Sequence, residues 1–158
     1  MNEQRIIRPA PVRKTIEVGV GRERAFEVFT AGIGRWWPKT KSIGQSPQAA
    51  AVLEPHVGGR WYERGEDGTE TTWGKVLAWE PPGRLLLAWQ IDASWRYDPD
   101  LETEVEVVFR ELGPGRTRVE LEHRKLEAYG DKAEAMRELF ETPSAWTGVL
   151  DAFAAAAI

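Results

Sequence analysis

Histidine is the side chain most often used for acid–base chemistry near neutral pH, and this sequence contains only two, His56 and His123. His123 follows Val119 and Leu121 at every second position, and this alternation predicts that it faces the interior of a strand-built core. A neutral imidazole beside apolar walls could act as an acid, a base or a ligand anchor. The alternative is a structural histidine bonded to a backbone carbonyl. His56 precedes the Gly58-Gly59 turn and is expected to be exposed.

Other catalytic or metal-binding patterns are missing from the sequence. With Cys 0, disulfides, thiol nucleophiles and thiolate metal sites are excluded. Asp92, Asp98 and Glu102 are spaced irregularly in a polar segment, which favours solvated charge over a pair of acid–base carboxylates. The sequence has no glycine-rich phosphate loop, serine nucleophile motif or pair of metal-binding histidines. We therefore expect no metal and no cofactor, and we assign no catalytic residue.

Tryptophan is the unusual component, with eight residues, and its large apolar face with one N–H donor suits both binding sites and cores. Trp36 and Trp37 are adjacent and cannot both point into the same core, so they form a cavity rim or an exposed recognition patch. The alternative is one buried ring and one that covers the sheet edge. Trp95 and Tyr97 lie in a polar loop, where they are either lid residues or anchors that hold the loop down.

Composition and charge restrict the function classes. A chain of 158 residues with 42% hydrophobic and 29% charged residues fits one globular domain. We expect an N-terminal tail at 1–11 and one domain at 12–158. The net charge is -4 and the basic residues are scattered, so nucleic acid is not an expected partner. Residues 1–14 are polar and no apolar run could span a bilayer, so no membrane span and a cytoplasmic location are expected.

The elements that must position these residues follow from periodicity. Alternation predicts a strand at 12–20, and helical spacing then predicts a short helix at 23–33. Turn residues separate the strands of a following meander, at 50–54, 60–64, 71–80, 85–91, 104–110 and 117–124. The inward face of strand 71–80 cannot be assigned, because its apolar residues occupy both odd and even positions. These residues are Trp73, Val76, Leu77, Ala78 and Trp79.

The C-terminal region is predicted to be helical in two pieces separated by Thr142-Pro143-Ser144. In the second piece an apolar stripe follows helical spacing and predicts a helix about 22 Å long. The stripe contains Trp146, Val149, Leu150, Phe153 and Ala157. These elements give an α+β fold in which the terminal helix packs on a curved antiparallel sheet. Such a sheet can leave an apolar gap beneath the helix, suited to a small molecule.

The chain from about residue 12 onward resembles the START-like, or SRPBCC, superfamily, and in particular the branch named after the activator of heat-shock protein 90 ATPase. The matching segments are Ala25-Phe26-Glu27-Val28-Phe29, Trp36-Trp37-Pro38, Gly58-Gly59-Arg60-Trp61, Gly74-Lys75-Val76, Trp79-Glu80-Pro81-Pro82, Arg84-Leu85 before Trp89, and Trp146-x-x-Val149-Leu150. The resemblance implies a helix-grip fold, with about seven antiparallel strands wrapped around a long C-terminal helix and short helices after the first strand. It transfers no shared catalytic motif.

The first hypothesis is therefore binding of a small hydrophobic or aromatic molecule between the sheet and the C-terminal helix, oriented by His123 and indole N–H groups. One alternative is a co-chaperone-like module for protein interaction or stress response, with a chaperone or other protein docking at Trp36 and Trp37. Another is a cyclase or hydrolase that uses His123 as general base. The predicted ligand-binding residues are Trp36, Trp37, Trp61, Leu87, Trp89, Trp95, Val107, Phe109, Leu121, His123, Trp146, Leu150 and Phe153.

Overall fold

The computed structural model describes residues 8–158, so residues 1–7 of the predicted tail lie outside the described residues. The described residues form seven strands: β1 (Val12–Val18), β2 (Gln48–Leu53), β3 (Arg60–Gly65), β4 (Glu70–Glu80), β5 (Arg84–Trp89), β6 (Thr103–Gly113) and β7 (Arg116–Arg124). All belong to one antiparallel sheet in the order β1-β7-β6-β5-β4-β3-β2. The sheet is thus a meander whose last strand pairs with the first.

The helices contact one face of this sheet. They are α1 (Arg22–Thr30), α2 (Ile33–Trp36), α3 (Ala133–Glu141) and α4 (Gly148–Ala156), with an irregular helical segment, Leu126–Lys132, before α3. Phe26 of α1 packs edge-on against Phe109 of β6, with 5.2 Å between ring centroids. The predicted α+β class is confirmed, and so is the helix-grip arrangement with short helices after the first strand.

Two bulges in β4 settle which of its residues face inward. Trp73 and Leu77 are extra residues without a partner in the register of a neighbouring strand. Because a bulge reverses the alternation of side chains, Val76 and Trp79 both point to the helices although one position is even and the other odd. Val76 is buried, and the Trp79 ring lies 5.2 Å from that of Phe26. Periodicity alone could not identify the inward face of β4, because each of the two bulges shifts the alternation by one residue.

The C-terminal helix is shorter than its apolar stripe predicted. The backbone leaves helical geometry at Ala145, with φ -90 and ψ -119, and the turn Pro143–Thr147 precedes α4. The nine residues of α4 span about 14 Å at the usual rise. Trp146 therefore lies on a turn ahead of the helix, where its indole is directed to His123. The stripe could not reveal this break, since Trp146 is buried in either arrangement.

Aromatic side chains cluster in the interior at the end of the sheet near α1. Phe29 contacts both Phe109 and Phe153, with centroid distances of 5.8 and 5.2 Å. Trp36 closes this cluster against Phe153 at 5.5 Å. No described helix has both the length and the apolar character needed to cross a bilayer.

Candidate ligand cavity

A cavity of about 450 Å³ lies at the other end of the interior, where the tryptophans gather. Strands β4 and β5 form one wall, α3 and the turn before α4 form the opposite wall, and the loop after α2 forms the third. Its apolar lining consists of Trp37, Ile43, Trp73, Trp89, Ile91, Trp95, Leu139, Phe140, Ala145, Trp146 and Val149. Its polar lining consists of Thr40, Lys41, Ser42, Thr142 and Ser144. The volume lies within the range of about 300–1,000 Å³ that is usual for small-molecule sites.

Four buried indoles form the inner surface of the cavity. Trp37 lies 5.1 Å from Trp73 and 6.2 Å from Trp146, measured between ring centroids. Trp89 lies 5.4 Å from Trp146. The contacts are tilted or edge-on, so the rings support one another in the geometry that aromatic pairs prefer.

Each of these four indole N–H groups already donates to an acceptor within the protein. The acceptors are the Lys41 carbonyl for Trp37 (3.1 Å), Glu63 Oε1 for Trp73 (2.9 Å), the Tyr129 hydroxyl for Trp89 (3.0 Å) and His123 Nδ1 for Trp146 (3.1 Å). The expectation that indole N–H groups orient a ligand therefore does not fit this geometry. The indoles offer their apolar surface to the cavity, and their polar edges hold them in place.

His123 is fully buried, as its alternation predicted, but it does not line the cavity. Its Nδ1 accepts the Trp146 indole N–H, so its Nε2 carries the proton and donates to Thr103 Oγ1 at 2.8 Å. The Thr103 hydroxyl in turn donates to the Trp89 carbonyl at 3.0 Å. Burial lowers the pKa of His123 to about 3, so the imidazole is neutral at physiological pH. Both ring nitrogens are occupied, and His123 acts as a positioning residue for Trp146.

Tyr129 has a similar role for Trp89. Its hydroxyl accepts the indole N–H and donates to the Ile91 carbonyl at 2.6 Å. Burial raises the pKa of Tyr129, which keeps the hydroxyl protonated and able to donate. The pair fixes the end of β5 and the start of the following loop against the cavity.

Glu63 holds the loop after α2 on the sheet and was missed by the sequence analysis. Its buried carboxylate accepts the backbone N–H groups of Ile43 at 2.6 Å and Gly44 at 3.1 Å, the Trp73 indole N–H, and the Ser42 hydroxyl. A buried carboxylate is tolerated when donors surround it in this way. The available signal was that Glu63 shares the inward parity of Trp61 on a strand, which predicts a buried acid in need of several donors.

Trp95 lies at the cavity mouth on the loop between β5 and β6. Its backbone is left-handed, with φ 61, and its side chain is 42% exposed. The Asp92 carboxylate caps this turn by accepting the N–H groups of Ser94 at 2.9 Å and Arg96 at 3.0 Å. Tyr97 is also exposed but does not line the cavity. The turn therefore presents one aromatic ring to the opening.

Among the predicted ligand-binding residues, Trp37, Trp89, Trp95 and Trp146 line the cavity. The others lie in the packed interior away from its surface: Trp36, Trp61, Leu87, Val107, Phe109, Leu121, His123, Leu150 and Phe153. Trp36 and Trp37 are both buried, so they form no exposed recognition patch. The backbone turns at Trp37, where α2 ends, so both rings reach the same core and their centroids lie 5.8 Å apart. The expectation that two adjacent indoles cannot share one core is therefore wrong. None of the polar lining residues was predicted from the sequence to contact a ligand.

Residues 20–157 match the family model described as Activator of Hsp90 ATPase homolog 1-like protein. The chain belongs to this family. The resemblance stated from sequence motifs is thereby confirmed, and with it membership of the SRPBCC or START-like superfamily. No curated protein sequence matches this AHSA1-like chain.

Solved structures of similar chains include two with substantial sequence identity. One is described as an anthrahydroquino-gamma-pyrone synthase, Txn09, complexed with SUM; it is 41% identical, with 96% of this chain and 98% of that chain covered and a TM-score of 0.65. The second is CalC from Micromonospora echinospora, described as a self-sacrificing resistance protein, at 31% identity, 93% coverage of both chains and a TM-score of 0.70. An HSP90 activator from Plasmodium falciparum is 19% identical, with 72% of this chain and 71% of that chain covered and a TM-score of 0.52, a likeness of fold alone.

Proposed function

We propose that this AHSA1-like protein binds a planar, largely apolar aromatic molecule in the tryptophan-lined cavity. The observation that carries the proposal is the inner surface formed by Trp37, Trp73, Trp89 and Trp146, whose N–H groups are all satisfied within the protein. A surface of this kind favours a flat ligand that stacks on or meets the rings edge-on. The likeness to Txn09, named as a synthase of a fused aromatic product, supports the same ligand class.

Apolar burial would supply most of the affinity. Burial of about 200 Å² of ligand surface at about 25 cal/mol per Å² contributes about 5 kcal/mol, part of which offsets the loss of ligand freedom. A ligand of this size is therefore expected to bind with a dissociation constant of about 0.2 mM at best, and in the millimolar range after this offset, unless a polar contact adds to the affinity.

The test uses anthraquinone-2-carboxamide as a neutral planar probe, with tryptophan fluorescence and calorimetry as readouts. We expect saturable quenching and a rise in the melting temperature. Ser144→Phe places a phenyl ring at the cavity mouth and should abolish binding. Glu138→Phe adds the same ring at an exposed position of α3 outside the cavity and should leave binding intact. Absence of binding to the wild-type protein, or equal loss in both variants, would contradict the proposal.

A second candidate is a ring-closing reaction on such a molecule, and the specific support is the synthase name of Txn09 together with its identity over nearly the whole chain. The test substrate is an anthraquinone with a phenolic hydroxyl next to a 1,3-diketone side chain. Attack of that hydroxyl on the distant carbonyl, followed by loss of one water, gives a γ-pyrone without any oxidant or cofactor. Wild-type protein should accelerate this loss of water over buffer, and Ser144→Phe should not. Equal rates with and without protein would rule this activity out.

Acid–base catalysis by His123 is not part of either proposal. Its two nitrogens are bonded to Trp146 and Thr103, and its ring does not reach the cavity surface. A proton donor or base must lie within hydrogen-bond reach of the reacting group.

A further inference from the structure

Lys41 is the one charged side chain among the described residues that line the cavity. Three other lysines form ion pairs with carboxylates: Lys14 with Glu141, Lys75 with Glu102 and Lys125 with Glu104. None of the described carboxylates forms such a pair with Lys41. A cation placed against an apolar cavity without a paired anion is unusual, because its desolvation is not compensated.

The backbone of Lys41 is held firmly in place. Its carbonyl accepts the Trp37 indole N–H at 3.1 Å and the Gln48 side-chain amide at 3.0 Å, and its N–H donates to the Pro38 carbonyl at 3.0 Å. The Lys41 ammonium donates across the mouth to the Ser144 carbonyl. The side chain thus bridges two walls of the cavity, and its position does not depend on a ligand.

The Lys41 ammonium has donors to spare. An ammonium carries three N–H donors, and the described residues provide one acceptor, the Ser144 carbonyl. Partial burial lowers the pKa of Lys41, which reflects the same incomplete solvation. Two neighbouring hydroxyls are already committed, since Ser42 donates to Glu63 and Thr142 donates to the Leu139 carbonyl at 2.7 Å. Of the described polar residues that line the cavity, Lys41 alone is charged, so it is the group best suited to bind an anionic oxygen.

We propose that Lys41 is the specificity-determining residue of the cavity and that it selects planar aromatic molecules carrying an anionic oxygen, as a carboxylate or phenolate, at the edge of the ring system. This inference rests on the proposed function, because it requires an aromatic molecule to occupy the cavity. The indole faces would hold the ring system, and the ammonium would fix its orientation by binding the anionic oxygen. A charge-assisted hydrogen bond is stronger than a neutral one, and the apolar walls reduce the screening of the two charges.

The experiment compares two nearly isosteric probes, anthraquinone-2-carboxylate and anthraquinone-2-carboxamide, by calorimetry with tryptophan quenching as a second readout. Wild-type protein should bind the carboxylate about tenfold more tightly or better. Lys41→Met should remove that preference while the carboxamide still binds, and Lys41→Arg should retain most of it. Lys132→Met removes the same charge from an exposed position away from the cavity and should keep the wild-type preference.

The outcomes distinguish a failure of the inference about Lys41 from a failure of the proposed aromatic binding. If wild-type protein binds both probes equally, or if Lys41→Met keeps the preference for the carboxylate, the role of Lys41 is overturned while aromatic binding stands. If Lys132→Met loses the preference as fully as Lys41→Met, net charge is responsible and the inference also fails. If neither probe binds wild-type protein, aromatic binding itself is overturned, and the inference with it.

Discussion

One buried imidazole should contribute measurably to the loss of stability of this protein in acid. The pKa of His123 in the folded protein is lowered to about 3 by burial, whereas an unfolded chain has a histidine pKa of about 6.5. A lowered folded-state pKa means that the unfolded state binds the proton first. The contribution of His123 to stability is therefore complete above about pH 6.5 and is lost progressively as the pH falls toward 3. At about pH 4.5 the loss is about 3 kcal/mol, since each pKa unit corresponds to about 1.4 kcal/mol.

Urea unfolding at neutral pH and at about pH 4.5 measures this loss. His123→Gln cannot gain a proton, and His56→Gln is the matched control because His56 is exposed. Between the two pH values, wild type and His56→Gln should each lose about 3 kcal/mol more than His123→Gln loses. Carboxylates that titrate in this range are common to all three proteins and cancel. Any stability that His123→Gln has already lost at neutral pH cancels too, because each protein is compared with itself.

Nuclear magnetic resonance gives an independent readout of the same proton. The His123 ring signals should stay constant from neutral pH to about pH 5, because a group with a pKa of about 3 remains neutral there. The assignment is simple, since the chain has only two histidines. Equal acid-induced losses of stability in all three proteins, or a His123 signal that titrates near pH 6.5, would refute the reasoning.

Two further pairs of substitutions test the architecture around the cavity. Gly74→Ala should prevent folding or cost several kcal/mol, because a Cβ at Gly74 would lie 1.7 Å from the Ala88 carbonyl oxygen. Gly58→Ala, in open space at φ +84, should cost only about 1–3 kcal/mol in thermal unfolding, and similar losses in the two variants would contradict the strand contact. Trp95→Ala should weaken binding of anthraquinone-2-carboxamide about threefold to tenfold with little change in melting temperature. Tyr97→Ala should leave affinity unchanged, and an equal effect of both would exclude a specific role for Trp95.

The sheet could be predicted from the sequence where one period persists along a strand. In β7 the alternation placed Val119, Leu121 and His123 inward, and all three are buried. Such strands need no information beyond their own residues, since a half-buried strand repeats every second position. The inward face of β4 and the length of α4 could not be obtained in this way. Each depends on a local departure from regular geometry, at the bulges and at Ala145, that tertiary contacts stabilise.

The candidate site was predictable in its residue type but not in its arrangement. The excess of tryptophan indicated aromatic surface, and four of the predicted residues do line the cavity. The roles of Lys41 and Glu63 depend on partners distant in sequence, such as Ser144 for Lys41 and Trp73 for Glu63. His123 illustrates the same limit, because its inward direction follows from alternation, whereas its neutral, fully bonded state follows from Thr103 and Trp146.

The indole hydrogen bonds also oppose collapse of the cavity. Phenyl rings have no polar edge, and Phe29 packs against Phe109 and Phe153 without any such restraint. The indoles of the cavity are each held by a fixed acceptor behind them. To collapse into the cavity, the Trp146 ring would have to break its hydrogen bond to His123. The Trp146 indole N–H and His123 Nδ1 would then both lack a partner, at about 1–3 kcal/mol for each buried group left unsatisfied. That cost opposes the gain from closing a void, so these hydrogen bonds favour an open cavity.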